Sequence, residues 1–224
     1  IGQRTSPVAP SLDNLAVDYI DTSSITLVDP SFSVAGNPLP QTDAYIGISG
    51  TIAESGGTVT GYTQKLENVS SVSFAGLSVD TEYRIYVVSH NTAGTDVKTI
   101  LAKTGAITPA LNALAVSNSD AQSITIDQPT FSTAGNPTPT VHAYIGVDGT
   151  ISESGGTISG STAGPIDVSA SGYQFTGLSS ATIYTIYVVA KNSGGYSVRH
   201  VGRSTAVAVA PSLDPLAISS VSAS

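Results

Sequence analysis

Hydrophobic and polar residues alternate in short runs along the chain. Residues 24–27 (Ser-Ile-Thr-Leu) and 123–126 (Ser-Ile-Thr-Ile) show a period of two residues, which is typical of a strand with one buried face. The runs 83–88 and 184–189 are rich in β-branched and aromatic residues, which favour extended backbone. Glycine and proline clusters separate these runs, and no window shows a convincing helical period. The pattern predicts an all-β protein built from short strands.

The sequence contains an internal repeat. When residues 9–60 are aligned with residues 108–159, 29 of 52 positions carry the same residue. The offset of 99 residues becomes 101 further on, so we expect a two-residue insertion in a loop between Gly160 and Thr176. Repetition at this period indicates tandem domains, and about seven strands in about 100 residues are typical of a β-sandwich.

A third copy begins near the end of the sequence, because residues 209–214 repeat residues 8–13. We interpret the chain as part of a longer array. The predicted segments are a linker at 1–8, a first sandwich at 9–107, a second sandwich at 108–208, and the start of a third repeat at 209–224.

Each copy carries a motif around its tyrosine-containing strand. In the first copy it reads Gly76-Leu77, Thr81-x-Tyr83-x-Ile85-x-Val87 and Asn91-x-x-Gly94. The second copy repeats it from Gly177 to Gly195. The motif resembles the fibronectin type III signature, and the resemblance implies two tandem Greek-key β-sandwiches. It also implies a structural tyrosine corner, in which the hydroxyls of Tyr83 and Tyr184 tie back to the preceding turn.

The sequence departs from the family pattern in one respect, and the resemblance does not identify a ligand. The family usually carries a tryptophan on its second strand, whereas this chain has none, so we expect Leu27 and Ile126 to fill that volume. Domains of this family serve as spacers and as binding modules, so the resemblance does not specify a ligand.

Composition excludes several classes of protein. The net charge is −8 with only eight Lys plus Arg, so neither nucleic acid nor an anionic lipid surface is an expected partner. The chain has no cysteine, which excludes disulfides and zinc–thiolate sites. No apolar run approaches the length of a membrane span, so membrane insertion is not expected.

No constellation of residues indicates catalysis or metal binding. His90, His142 and His200 have no histidine counterpart in the other copy. Glu54 and Glu153 do repeat, and each precedes a Gly-Gly pair, which we interpret as a charged residue flanking a hairpin turn. We therefore expect no enzyme, no metal and no cofactor in this chain.

A candidate interaction face follows from the alternation of side chains. If Tyr83, Ile85 and Val87 face the core, the next residues along the strand face outwards. The candidate face comprises Tyr45, Tyr86 and Val88 in the first copy and Tyr144, Tyr187 and Val189 in the second. Two interpretations stay open: the tyrosines support the sheet by cross-strand contact, or they form an exposed packing surface.

The partial third repeat supplies a second candidate, an assembly strand containing Leu213, Leu216 and Ile218. This strand could complete a neighbouring molecule by edge addition. Taken together, the observations favour a non-catalytic structural or adhesive array of an extracellular surface protein or filament. Its expected partners are neighbouring copies, another surface protein or a glycan. A spacer or carbohydrate-binding accessory region of a secreted enzyme, and a phage tail or fibre protein, remain the alternatives.

Overall fold

The computed structural model describes residues 5–209, which form twenty-two β-strands and no helix. Within this range the chain divides into two compact units: residues 5–110 with 133–139 and 191–197, and residues 111–132 with 140–190 and 198–209. The all-β prediction is therefore confirmed.

The first repeat contains seven sandwich strands and four additional short strands. Its strands are β1 (Ser11–Leu12), β2 (Val17–Ile20), β3 (Ile25–Leu27), β4 (Phe32–Val34), β5 (Gln41–Ile48), β6 (Ala53–Ser55), β7 (Thr58–Thr60), β8 (Gln64–Leu66), β9 (Ser73–Phe74), β10 (Glu82–Asn91) and β11 (Gly94–Lys103). The smaller sheet has the order β2-β3-β9 and the larger sheet the order β11-β10-β5-β8. The chain crosses between the sheets from β3 to β5, from β8 to β9 and from β9 to β10, which gives a Greek-key sandwich.

The second repeat has the same topology. Its strands are β12 (Ala110–Leu111), β13 (Val116–Ser119), β14 (Ser123–Ile126), β15 (Phe131–Thr133), β16 (Thr140–Val147), β17 (Ser152–Ser154), β18 (Thr157–Ser159), β19 (Ala163–Asp167), β20 (Tyr173–Thr176), β21 (Ile183–Asn192) and β22 (Gly195–Ser204). The sheets have the orders β13-β14-β20 and β19-β16-β21-β22. The short pairs β6–β7 and β17–β18 are the hairpins expected at the Gly-Gly turns, whereas the sequence pattern did not predict the pairs β1–β4 and β12–β15.

The core of each repeat lies between its two sheets. In the first repeat Ile25 and Leu27 of β3 pack in one cluster with Ile46 of β5 and Ile85 and Val87 of β10. These side chains alternate with exposed or half-buried neighbours, as the period of two predicts. Leu27 and its counterpart Ile126 are both buried in these clusters, at the positions assigned to the volume of the missing tryptophan.

One buried polar pair in the first repeat becomes apolar in the second. The hydroxyls of Thr42 and Ser89 lie 3.1 Å apart and satisfy each other inside the sandwich. Buried Val141 and Ala190 occupy the equivalent positions of the second repeat. The two residues change together because a buried hydroxyl without a partner would cost about 1–3 kcal/mol.

The structure also refines the ends of the repeats. Val8, which lies in the predicted linker, forms a β-bridge with Asn37, and Ile107 forms the same bridge with Asn136. Pairing therefore starts one residue before each predicted repeat. The two inserted residues of the second repeat fall in the connection between β19 and β20, since the amide–carbonyl bonds of Val69 and Val168 still share the offset of 99.

Candidate functional site

The two tyrosines assigned to the tyrosine corner lie in the core and reach back to the preceding turn. The Ser78 amide donates a hydrogen bond of 2.8 Å to the Tyr83 hydroxyl. The Ser179 amide donates a hydrogen bond of 3.0 Å to the Tyr184 hydroxyl. In both repeats the phenol therefore fixes the turn that leads into a central strand of the larger sheet, β10 or β21.

A buried threonine strengthens the same end of each repeat. The Thr104 hydroxyl accepts the Thr81 amide at 3.0 Å and donates to the Ser78 carbonyl at 2.6 Å. Thr205 makes the matching bonds to Thr182 and Ser179. The sequence motif contained no signal for this threonine, because its partners lie more than twenty residues away in the chain.

An asparagine ties together the opposite end. The Asn91 side-chain amide donates to the carbonyls of Val8 and Pro38, each at 2.7 Å. Its carbonyl oxygen accepts the amides of Ala93 and Gly94. Asn192 makes matching donations to Ile107 and Pro137. The Asn-x-x-Gly motif therefore fixes the β10–β11 hairpin and anchors two other segments to it.

The predicted interaction face lies on the outer side of the larger sheet. Tyr86 of β10 stands directly opposite Tyr45 of β5, and both rings are half-buried. Val88 is only 4% exposed, and it packs in a small outer cluster with Ile52 and Val59. Tyr144 and Tyr187 of the second repeat are likewise half-buried, and Val189 is 5% exposed.

The hairpin β6–β7 covers this face, and a glycine makes room for it. A Cβ atom on Gly47 of β5 would lie 2.8 Å from the Cβ of Ile52, which is closer than side chains pack. The equivalent distance between Gly146 and Ile151 is 2.7 Å. Only glycine leaves enough room for the isoleucine to pack directly against the strand.

A carboxylate holds the tip of each covering hairpin. Glu54 accepts the Gly57 amide at 2.6 Å, and Glu153 accepts the Gly156 amide at 2.7 Å. The repeated glutamate thus stabilises the glycine turn itself. This geometry fits the interpretation of Glu54 and Glu153 as residues that flank a hairpin turn.

Of the two interpretations of this face, an exposed packing surface would not include Val88 and Val189, which are almost fully buried. In the first repeat the chain's own hairpin packs over Val88, and Val189 is likewise almost fully buried. Alternation identifies the face that a side chain occupies and not what covers it. The missed signal was the apolar spacing of Ile52 and Val59, and of Ile151 and Ile158, around each Gly-Gly turn.

A charged cluster beside Tyr45 occurs in the first repeat alone. The Lys65 ammonium lies 3.2 Å from Asp43 and 2.7 Å from Glu67, and 5.3 Å from the centroid of the Tyr45 ring. Tyr62 packs edge-on against Tyr45, with ring centroids 5.2 Å apart. The register of β5 with β8 brings these residues together, and His142 and Gly164 stand at the positions of Asp43 and Lys65 in the second repeat.

The environment of this cluster favours its charged forms. Burial opposes ionisation of Asp43, but the Asn68 amide and the Lys65 ammonium outweigh it, so the pKa of the carboxyl lies below its ordinary value. The hydrogen bond to Glu67 and the contact with Asp43 raise the pKa of Lys65. Burial raises the pKa of Tyr45, which therefore stays a neutral phenol. The cluster is an ion-pair network in which Asp43 and Lys65 hold opposite charges.

The three histidines do not come together. His90 is exposed at the end of β10, His142 stands opposite Asp167, and the His200 ring lies 5.3 Å from that of Tyr187. Within residues 5–209 no three His, Asp or Glu side chains form a group that could hold a metal ion. In the same range no helix long and apolar enough to cross a membrane occurs. Leu213, Leu216 and Ile218 of the candidate assembly strand lie outside the described residues.

The strand order and the tyrosine bonds define the class of the protein: two tandem fibronectin type III-like β-sandwiches. Among solved structures, the chain is similar to a segment of two fibronectin type III domains from chicken tenascin, at 16% identity and a TM-score of 0.47, over 88% of this chain and 99% of that one. It is also similar to the FN1–FN3 domains of chicken CNTN1, at 13% identity and a TM-score of 0.37, over 91% of this chain and 67% of that one. No protein-family model and no curated protein matches the sequence.

Proposed function

We propose that the chain is a non-catalytic structural segment of an extracellular surface protein or filament, and that it acts through stacked domains and protein–protein contacts. The observation that carries the proposal is that two repeats with different surfaces keep the same internal ties. These ties are the hydrogen bonds of three residue pairs, one member in each repeat: Tyr83 and Tyr184, Asn91 and Asn192, and Thr104 and Thr205. What the repeats share is therefore a scaffold.

Each repeat carries what it needs to stay folded. The two core clusters are separate, and within the described residues no buried side-chain nitrogen or oxygen lacks a hydrogen-bond partner. A sandwich of about 100 residues that needs no metal or disulfide can be repeated many times in a chain. Such units suit a spacer that bears load.

The composition supports packing beside neighbouring molecules. Charged residues make up 11% of the chain, against roughly 25% in a typical globular domain. A surface with few charges generates little long-range repulsion between copies. This property suits a filament or a dense surface layer, and the polar surface keeps the repeats in water.

Single-molecule force spectroscopy tests the mechanical part of the proposal. The 224-residue chain, held by its two ends, should unfold in two separate events of similar length. Each event should release roughly 35 nm, because an extended chain spans about 3.3–3.6 Å per residue. Gradual extension without force peaks would contradict a load-bearing array.

Surface labelling tests the location. An antibody against the second repeat should label intact cells of the source organism as strongly as permeabilised cells. Labelling only after permeabilisation would overturn the extracellular part of the proposal and leave the mechanical part to the force experiment.

A further inference from the structure

We propose that copies of this chain associate head to tail. In this contact the cationic edge strand β22 of the second repeat docks on an acidic and apolar face of the first repeat of another copy. The inference rests on the proposed function and names the partner of the array. It comes from a difference between the two repeats, because each surface occurs in one repeat and is absent from the other.

The cationic surface lies on the last strand of the larger sheet in the second repeat. The order β19-β16-β21-β22 places β22 at the sheet edge, and Arg199, His200 and Arg203 are exposed along it. Four residues of strand separate the two arginines, which is about 13 Å at 3.3 Å per residue. Neither arginine takes part in an ion pair among the described residues, which is uncommon in a chain with twice as many acids as bases.

Both guanidinium groups retain free donors. Arg199 donates to the Val198 carbonyl at 3.1 Å, and Arg203 donates to the Gly202 carbonyl at 2.9 Å. A guanidinium has five N–H donors, so most of them remain available for a carboxylate, which it binds in a bidentate manner. Because charged residues on an edge strand oppose strand addition, we expect docking through side chains and not through backbone pairing.

On the equivalent edge strand of the first repeat, both lysines form ion pairs with acids of the same repeat. On β11, Lys98 lies 3.9 Å from Asp96, and Lys103 lies 2.8 Å from Asp80. In the second repeat Ser197 and Ala181 stand at the positions of these two aspartates, while Arg203 stands at the position of Ala102. The second repeat therefore lacks both acids but keeps two cations on the strand, since Arg199 stands at the position of Lys98 and Ser204 at that of Lys103.

The complementary surface lies on the outer face of the smaller sheet of the first repeat. Tyr19 of β2 is 57% exposed and stands opposite Thr26 of β3, and Val28 is 51% exposed. Asp18 and Asp29 lie beside these two residues, are exposed and form no ion pair within the described chain. Asn118 and Asp127 replace Tyr19 and Val28 in the second repeat, where the apolar contact is absent.

The net charges disfavour contact between two first repeats more strongly than contact between a first and a second repeat. Residues 9–107 contain ten acids and four bases, a net charge of −6, whereas residues 108–208 contain five acids and three bases, a net charge of −2. Arginine also stacks on tyrosine faces, which Tyr19 offers. Because the two surfaces differ, the contact is heterologous and can extend into an open chain of copies.

Sedimentation velocity of the full chain over a concentration series tests the proposal. At about 0.02 M salt the chain should self-associate, and association should disappear at about 0.5 M salt, where charges are screened beyond about 4 Å. The double variant Arg199→Glu with Arg203→Glu, and separately Asp18→Arg with Asp29→Arg, should each weaken association by about tenfold or more. An equimolar mixture of the two variants should associate again, because each supplies the surface that the other needs.

The matched control is Lys98→Glu with Lys103→Glu, which changes the net charge by the same amount on the equivalent strand of the first repeat. It should associate like the parent chain. A parent chain that stays monomeric at low salt overturns the proposal, as does association that survives the arginine double variant. A mixture that remains monomeric also overturns it. Circular dichroism confirms that each variant is folded, and two unfolding events under force would still support the proposed function if docking fails.

Discussion

Gly146 provides the sharpest test of how the outer face is covered. Replacing Gly146 with alanine places a Cβ 2.7 Å from the Cβ of Ile151 and 3.0 Å from the Gly160 carbonyl oxygen. Both contacted atoms belong to or adjoin backbone, so neither can swing away as the end of a long side chain could. The hairpin β17–β18 must therefore move outwards, or the strand must bend.

The magnitude follows from two opposing effects. Overpacking of a well-packed site costs about 1–3 kcal/mol. Alanine is more favourable than glycine within a strand by about 0.5–1 kcal/mol, which offsets part of that cost. The net loss of unfolding free energy is about 1 kcal/mol, which lowers the Tm of a domain of this size by about 4–8 °C.

Gly202→Ala is the matched control in the same repeat. Gly202 also lies in a strand, but the nearest heavy atom to an added Cβ is the Tyr184 carbonyl oxygen at 4.0 Å. This variant should be as stable as the parent or more stable by about 0.5–1 kcal/mol. Urea denaturation of the full chain gives both values, and hydrogen exchange shows whether amides of β17 and β18 lose protection in the Gly146 variant. Equal stability of the two variants would refute the packing of Ile151 on Gly146.

Two further predictions concern the ties within the first repeat. Tyr83→Phe leaves the Ser78 amide without its acceptor, so urea denaturation should show that the free energy of unfolding falls by about 1 kcal/mol. Tyr86→Phe is the control, since the Tyr86 hydroxyl makes no hydrogen bond in the described chain. An equal fall in the control would contradict the role assigned to the Tyr83 hydroxyl. The pKa of Asp43 lies below its ordinary value of 3.8 in the folded state, so its stabilising contribution is present above about pH 4 and is lost as the pH falls through the folded pKa. Asp43→Asn should therefore flatten the acid side of a plot of denaturation midpoint against pH, and an unchanged slope would show that Asp43 does not contribute.

Much of the architecture could be predicted because it depends on local patterns of residues along the chain. The period of two residues, the 99-residue repeat and the Thr-x-Tyr-x-Ile-x-Val motif predicted two sandwiches and the inward position of Tyr83 and Tyr184. These features depend on residues close together in the chain, and a strand has only two faces. A buried tyrosine that follows a fixed turn by a few residues can place its hydroxyl in only a few positions.

The sequence by itself therefore determined the class of fold, the number of repeats and the direction in which most strand side chains point. Only the tertiary structure decided that Ile52 covers Gly47, that Lys65 meets Asp43, and that Arg199 and Arg203 lie on an edge strand with no ion pair among residues 5–209. These contacts join residues on different strands, and their formation depends on register and on where a hairpin returns. Alternation along one strand carries no information about either, which is why it does not show that the hairpin of the same chain packs over Val88.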